Sequence, residues 1–268
     1  MNAPYEDFSQ LLKSWRNQYG VSQLELSLRC DVSQKHISFL ESKRSAPSHL
    51  MVQIISEALE IPLRNRNSLL MSAGFAPFYK ESDLSEPELA AVDQALSMML
   101  DQHEPYPAVV VDHLFNLIRA NRGAMKLQSI LFGVDDPAEL PGVAGNILRG
   151  LISPDGYREH VKNWNEIVPC LLRRLQSELY TSNGSAEIQA LLDELSACDG
   201  VPSDWRHPSP GGWNAPILTV DIEKDGIELS FFSTIATLGT PQDITLQEIR
   251  VESYFPANDA TRMIFAAT

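Results

Sequence analysis

Long apolar runs are missing from this chain. Nothing in its 268 residues approaches the roughly 18 consecutive apolar positions that cross a bilayer, so no membrane partner is expected. The opening stretch MNAPYEDFSQ is acidic and lacks the charged-then-apolar order of a secretory leader, which predicts a cytoplasmic protein. Cysteine is scarce: Cys30, Cys170 and Cys198 are far apart, odd in number and never in a CxxC pair. That excludes a disulfide framework and fits a reducing compartment with inert thiols. Catalytic signatures are absent too: there is no GxSxG, no Gly-rich phosphate loop, no HExxH and no paired-Cys metal pattern. The six histidines (36, 49, 103, 113, 160 and 207) share no ligand spacing. Asp112 and His113, read as neighbours on a strand, point to opposite faces and cannot act as a pair. No cofactor, metal or catalytic residue is expected, and internal repeats and low-complexity tracts are lacking as well.

What is present is charge, distributed unevenly. The net charge is −14, yet residues 1–75 hold eight Lys/Arg against seven Asp/Glu, leaving the remainder at about −15. An acidic body cannot bind a phosphate backbone directly. Any nucleic-acid contact is confined to the amino-terminal part.

From Glu6 to Ala73 the apolar spacing predicts five short helices. In FSQLLKSWRNQY, Phe8, Leu11, Leu12 and Trp15 share one face. Ser22-Gln23-Leu24-Glu25 matches a capping box, with Glu25 reaching back. A third helix opens at Ser33 and buries Ile37 and Leu40. The fourth is apolar at Leu50, Ile54, Ile55, Ala58 and Leu59, and the fifth stops at Gly74. Residues 76–88 have two prolines and no periodicity and read as a linker. PAVVVDHLFNLIRAN reads as a strand or hairpin carrying Phe115. Helical patterns run from about Arg122 to Ala197, and DWRHPSPGGWNAP is a loop by composition. Three strand-like runs follow, ILTVDIE, IELSFFSTIATL and TLQEIRVESYF, the first two joined by an Asp225-Gly226 hairpin signal. The fold class is an all-α five-helix domain followed by an α+β domain with an antiparallel sheet.

In a helix-turn-helix one helix crosses the phosphate backbone and the next enters the major groove. Ser22 and Gln23 open the second helix, where a helix N-terminus and an amide can meet a phosphate. Ser33, Gln34, Lys35 and His36 form the first turn of the third, with Ser38 one turn on. Gln can bond adenine bidentately and Lys can donate to guanine. Lys43 and Arg44 suit flanking phosphates, and Arg16 is a further phosphate candidate. Short capped amphipathic helices also serve as ordinary core; the whole arrangement is more specific. The run LLKSWRNQYGVSQLELSLRCDVSQKHISFLESKRSAPS resembles the lambda repressor/Cro, or XRE-type, helix-turn-helix. The resemblance rests on Arg16, Ser22-Gln23, Val32-Ser33, Ile37-Ser38, Glu41, Arg44 and Pro47-Ser48. Asp31 departs from the glycine usual in the turn, but Asp tolerates a left-handed conformation better than most residues. The implied partner is double-stranded operator DNA.

For the carboxy-terminal part a ligand pocket is the better reading than catalysis. Trp164, Trp205 and Trp213, with Phe115, Phe231 and Phe232 on strands, can supply apolar walls. Arg149, Arg158, Arg173 and Arg174 can meet a carboxylate or phosphate. Against that, strand aromatics are usually core and surface arginines usually solvated. The succession VVVDHLFNLIRAN, NILRGLISP, NWNEIVPCLLRRL and WRHPSPG, closed by a sheet, resembles the MmyB-like regulators. Asn121, Asn146, Trp164, Trp205 and His207-Pro208 match, whereas FFSTIATLGTPQDITLQEIRVESYFPAND departs from many members. That resemblance implies a PAS-like domain binding a small apolar or acyl, fatty-acid-like ligand. The candidate ligand residues are Phe115, Asn121, Asn146, Arg149, Arg158, Trp164, Trp205, His207 and Phe231.

The expected organisation is a DNA-binding domain over 1–75, a linker over 76–90 and a ligand-binding domain over 91–268. The expected function is a homodimeric, sequence-specific transcriptional regulator that senses a metabolite. Two other readings stay open: a protein–protein adaptor with a degenerate helix-turn-helix, and a small-molecule enzyme fused to a DNA-binding head.

Overall fold

The computed structural model describes residues 7–134, 136–207 and 217–266. Helices α1 (Phe8–Gln18), α2 (Gln23–Arg29), α3 (Gln34–Glu41), α4 (His49–Ala58) and α5 (Leu63–Ser72) come first. Then follow α6 (Ala90–Gln102), strands β1 (Ala108–Val111) and β2 (Leu117–Ala120), α7 (Arg122–Phe132), α8 (Ile147–Ile152), α9 (Trp164–Thr181) and α10 (Ala186–Ser196). The chain closes with β3 (Val220–Lys224), β4 (Ile227–Ala236), α11 (Ile244–Glu248), β5 (Arg250–Pro256) and α12 (Asp259–Ala266). Contacts divide it into two compact units: Met1–Ser82 with Thr240–Gln247, and Asp83–Gly239 with Glu248–Thr268.

The first unit is built on caps. Asp7, Ser22, Ser33 and Ser48 each accept a backbone N–H of the first turn they precede, satisfying donors that a helix start leaves open. Helix α5 begins after Pro62 with no cap of its own. Its Leu63 N–H donates instead to Gln247 Oε1 at 2.7 Å, so a side chain from 184 positions later does the capping. Asp243, 8% exposed, accepts the N–H groups of Ser82 and Thr245, and the Thr245 hydroxyl donates to the Ser82 carbonyl at 2.7 Å. These bonds tie residues 240–247 into this unit, whereas the sequence suggests an unbroken second domain from 91 to 268.

Phe8, Leu12, Trp15, Leu26, Ile37, Leu40, Val52 and Ile55 fill the core. Two expectations fail here. Leu50 is 63% exposed, because the inward stripe of α4 runs through Val52, Ile55 and Leu59. The capping box at Ser22 is half made: the serine caps, but Glu25 pairs with Arg29 at 3.0 Å along the helix instead of reaching back. Asp31 does adopt the left-handed conformation, at φ 52°.

The second unit is a five-stranded antiparallel sheet in the order β2-β1-β5-β4-β3, the α+β, PAS-like arrangement expected. Asp225 and Gly226 turn β3 into β4 with φ 51° and 78°, two positive angles matching the twist of a tight hairpin. Alternation places Val220 and Ile222 of β3, Leu229, Phe231 and Ser233 of β4, and Glu252 and Tyr254 of β5 on one face. Helix α9 buries Trp164, Ile167, Val168, Leu172 and Leu175, a helical stripe that joins α10 and this face in one core.

Sequence and structure differ at three points. Asp112, His113 and Phe115 lie in the β1–β2 turn rather than on a strand. Asp112 Oδ1 accepts from Leu114 N and Asn116 N, and this turn holds Phe115 at φ 64°, strained for a bulky residue. The strand-like run TLQEIRVESYF opens as helix α11 and becomes strand only at Arg250. Helix α12 was not expected; its Phe265 is fully buried and stands edge-on to Phe231 at 5.5 Å.

Candidate functional site

In the first unit, α3 exposes its opening turn. Gln34 and Lys35 are exposed, and His36 and Ser38 half-buried, because Ile37 and Leu40 take the inward positions. Lys35 and Arg44 both stand over the Phe39 ring, at 5.3 and 5.7 Å, so the apolar ring bears two cations beside the polar turn. Ser22 and Ser33 spend a hydroxyl lone pair on capping, yet both remain exposed. Lys43 pairs with Asp7, whose carboxyl is held below the usual range chiefly by that contact.

Arg16 is placed differently from the rest. Its Nε lies 2.5 Å from Glu41 Oε1, its Nη1 donates to the Val21 carbonyl at 2.8 Å, and the pair is 11% and 5% exposed. Gln23 Nε2 donates to Glu41 Oε2 at 2.7 Å. Glu41 therefore clamps the first two helices to the third, and the Arg16 guanidinium is engaged inside that clamp. Cys30 is buried, and burial pushes its thiol up to about 11, so it remains an inert thiol.

In the second unit a cavity of about 330 Å³ lies between the sheet face and helices α7, α8 and α9. Its walls are apolar for the most part: Leu127 and Leu131 of α7, Leu151 of α8, Ile167 and Leu171 of α9, and Phe231 of β4. Arg174, Ser233, Glu252, Tyr157 and Tyr254 bring polar atoms to it, and Cys170 a thiol. Burial, with Glu252 next in weight, raises both tyrosine hydroxyls above their ordinary pKa, so both stay protonated donors. An apolar chamber with few polar groups is the usual form of a small-molecule site.

The structure places the nine candidate ligand residues in three settings. Phe115 and Phe231 line the main cavity. Asn121 and Asn146 serve the backbone. Asn121 accepts from Ala108 N and Ala124 N and donates to the Leu100 and Tyr106 carbonyls. Asn146 caps α8 and donates to the Leu114 carbonyl at 2.8 Å, while also bordering a smaller adjoining cavity. Trp164 and Trp205 are core, Arg158 stacks on Trp164 at 4.5 Å, Arg149 pairs with Glu194 at 2.7 Å, and His207 is exposed. Trp213 lies outside the described residues. Composition misses Tyr157, Ser233, Glu252 and Tyr254. The signal for Glu252 is a charge at an inward register position of an otherwise half-buried strand.

Among the described residues no helix is long and apolar enough to cross a membrane, and no cluster of His, Cys, Asp and Glu can hold a metal. A DNA-binding head joined to an α+β domain with an internal apolar chamber defines a ligand-responsive transcription regulator. Residues 12–64 match the helix-turn-helix family, and residues 92–267 match the MmyB-like transcription regulator ligand binding domain. The chain belongs to the MmyB-like transcription regulators. No curated protein matches it. Among solved structures, one described as an RNA-binding Light-Oxygen-Voltage receptor is similar at 12% identity and a TM-score of 0.30. That likeness covers 97% of this chain and 61% of the other.

Proposed function

We propose that this protein is a sequence-specific, homodimeric DNA-binding regulator that senses a small, fatty-acid-like or otherwise apolar metabolite in its second unit. The observation that carries the ligand half is the 330 Å³ apolar cavity inside the domain whose family binds ligands. Gln34, Lys35 and His36 read base edges, with Ser33 and Ser38 beside them, and Ser22, Lys43, Arg44 and the second amide N–H of Gln23, whose first serves Glu41, meet phosphates. Arg16 acts through Glu41 by fixing the head that presents them. One head reads a half-site, so two copies bind half-sites about 34–36 Å apart on a two-fold operator. The ligand changes operator affinity to the extent that it binds two states of the dimer unequally. Catalysis has no part in this reading, and the site of action is the cytoplasm, where the DNA is.

The test is mass spectrometry of the natively purified protein, followed by operator footprinting with and without the recovered compound. A stoichiometric, unmodified apolar compound that changes the footprint supports the reading. Recovery of a turned-over product, or operator binding insensitive to salt, overturns it, since phosphate contacts release counterions and weaken steeply as salt rises.

A further inference from the structure

Phe39 is the large aromatic side chain of α3, yet the fold makes little use of it. Among the described residues it belongs neither to the buried cluster of the first unit nor to the half-buried apolar side chains packed against that cluster. Ile37 and Leu40 take the inward positions, and the Phe39 ring stays half-buried. A ring left partly in water gains only part of the free energy of burial.

What lies on the ring is charge. Lys35 and Arg44, both exposed, stand 5.3 and 5.7 Å from its centroid. Lys35 is there because residues four apart share a helix face. Arg44 arrives by another route. Ser42 ends α3 and Lys43 takes a left-handed φ of 61°. The Lys43 N–H then donates to the Leu40 carbonyl at 3.4 Å, and the Arg44 N–H to the Phe39 carbonyl at 2.9 Å. In this form of helix ending the residue two past the cap packs on the third residue from the end. Here that pair is Arg44 and Phe39. A free Lys or Arg side chain samples many rotamers, and ordering it on binding subtracts from affinity. A ring face attracts a cation and so confines it beforehand. One side chain thereby confines a candidate base-reading group and a candidate phosphate-binding group together.

We propose that Phe39 is a positioning residue for DNA binding, its ring holding Lys35 and Arg44 ready for the base edge and the phosphate. This rests on the reading of those two residues as DNA contacts. The experiment uses the full chain and a DNA duplex that it selects from a randomised pool, with affinity read by fluorescence anisotropy at fixed salt. Phe39→Leu, apolar but without a ring face, should bind that duplex about fivefold or more weakly at an unchanged melting temperature. Phe39→Tyr keeps the face and should bind within about twofold of the wild type. Double-mutant cycles decide between positioning and other roles. Arg44→Ala and Lys35→Ala should each cost at least about threefold less affinity in the Phe39→Leu protein than in the wild type. Additive cycles overturn the proposal, because a ring that only touches a thymine methyl, or only props the helix, acts independently of both cations. Tighter binding by Phe39→Leu overturns it too, since the ring would then withhold the cations from DNA. If Phe39→Leu melts below the wild type, Phe39→Met takes its place in the same cycles and the same outcomes decide. If no duplex is selected, or neither Arg44→Ala nor Lys35→Ala weakens binding in the wild type, the reading of the contacts falls and the proposal falls with it.

Discussion

At the scale of single residues, much of the polar chemistry that resembles function is architecture. Arg16 has the residue type and place of a phosphate contact, yet its guanidinium is spent on Glu41 and the Val21 carbonyl. Removing one member of a buried ion pair leaves the other charged and unpaired, at about 3–5 kcal/mol. Glu41→Ala is therefore expected to destabilise the first unit by about 3 kcal/mol in urea denaturation, since it strands both Arg16 and Gln23. A cost under about 0.5 kcal/mol, typical of surface substitutions, would show that the clamp contributes little. Asn121 makes the same point: its amide reads as a ligand-binding group but bonds four backbone positions. Asp31 shows the reverse, a departure from the family pattern that leaves the turn intact because Asp accepts φ 52°.

At the scale of elements, α3 is the one whose surface carries a specific consequence. Its Gln34 and Lys35 are exposed and support no core, so truncating either should leave the melting temperature unchanged. Lys35→Ala and Gln34→Ala should each weaken operator binding and relax base preference, whereas Arg44→Ala, at a phosphate, should weaken binding to all sequences alike and reduce the slope against log salt by about one. Footprints identical to wild type for Lys35→Ala and Gln34→Ala would remove α3 from the major groove. The helices are legible in the sequence because their apolar spacing follows 3.6 residues and serines mark their starts. Asp225-Gly226 announces the β3–β4 hairpin as clearly. Helix α11 is not legible: Thr245 and Gln247 alternate like a strand, and it is their bonds to Ser82 and Leu63 that hold them otherwise. Helix α12 is short and follows a strand, so its pattern is too brief to stand out. The cavity is hidden for a related reason. Its walls come from turns, helices and strands scattered between Phe115 and Tyr254, and only the sheet register brings Glu252 to face inward.

At the scale of the whole molecule, the path of the chain matters more than the division into two parts. The segment Thr240–Gln247 belongs to the DNA-binding unit but lies between β4 and β5, the strands that carry Ser233 and Glu252 to the cavity. Gln247 caps α5, and Asp243 holds Ser82, so the head borrows part of its stability from the far end of the sequence. A head cut at residue 75 loses these bonds. Asp243→Ala leaves two backbone N–H groups without their acceptor, and a lost cap or buried bond costs about 1–2 kcal/mol each. The variant should lower the unfolding midpoint of the helical head while leaving binding of a cavity ligand unchanged, read by amide exchange and calorimetry on the same sample. Replacing residues 240–247 by a Gly/Ser linker of equal length goes further. The cavity strands keep their pairing partners, but the covalent route from them no longer ends in bonds to the head. Ligand affinity should persist while the ligand's effect on operator affinity falls toward none, since coupling requires an element whose state both sites bias. Full ligand control of DNA binding in that variant would show that the signal travels another way.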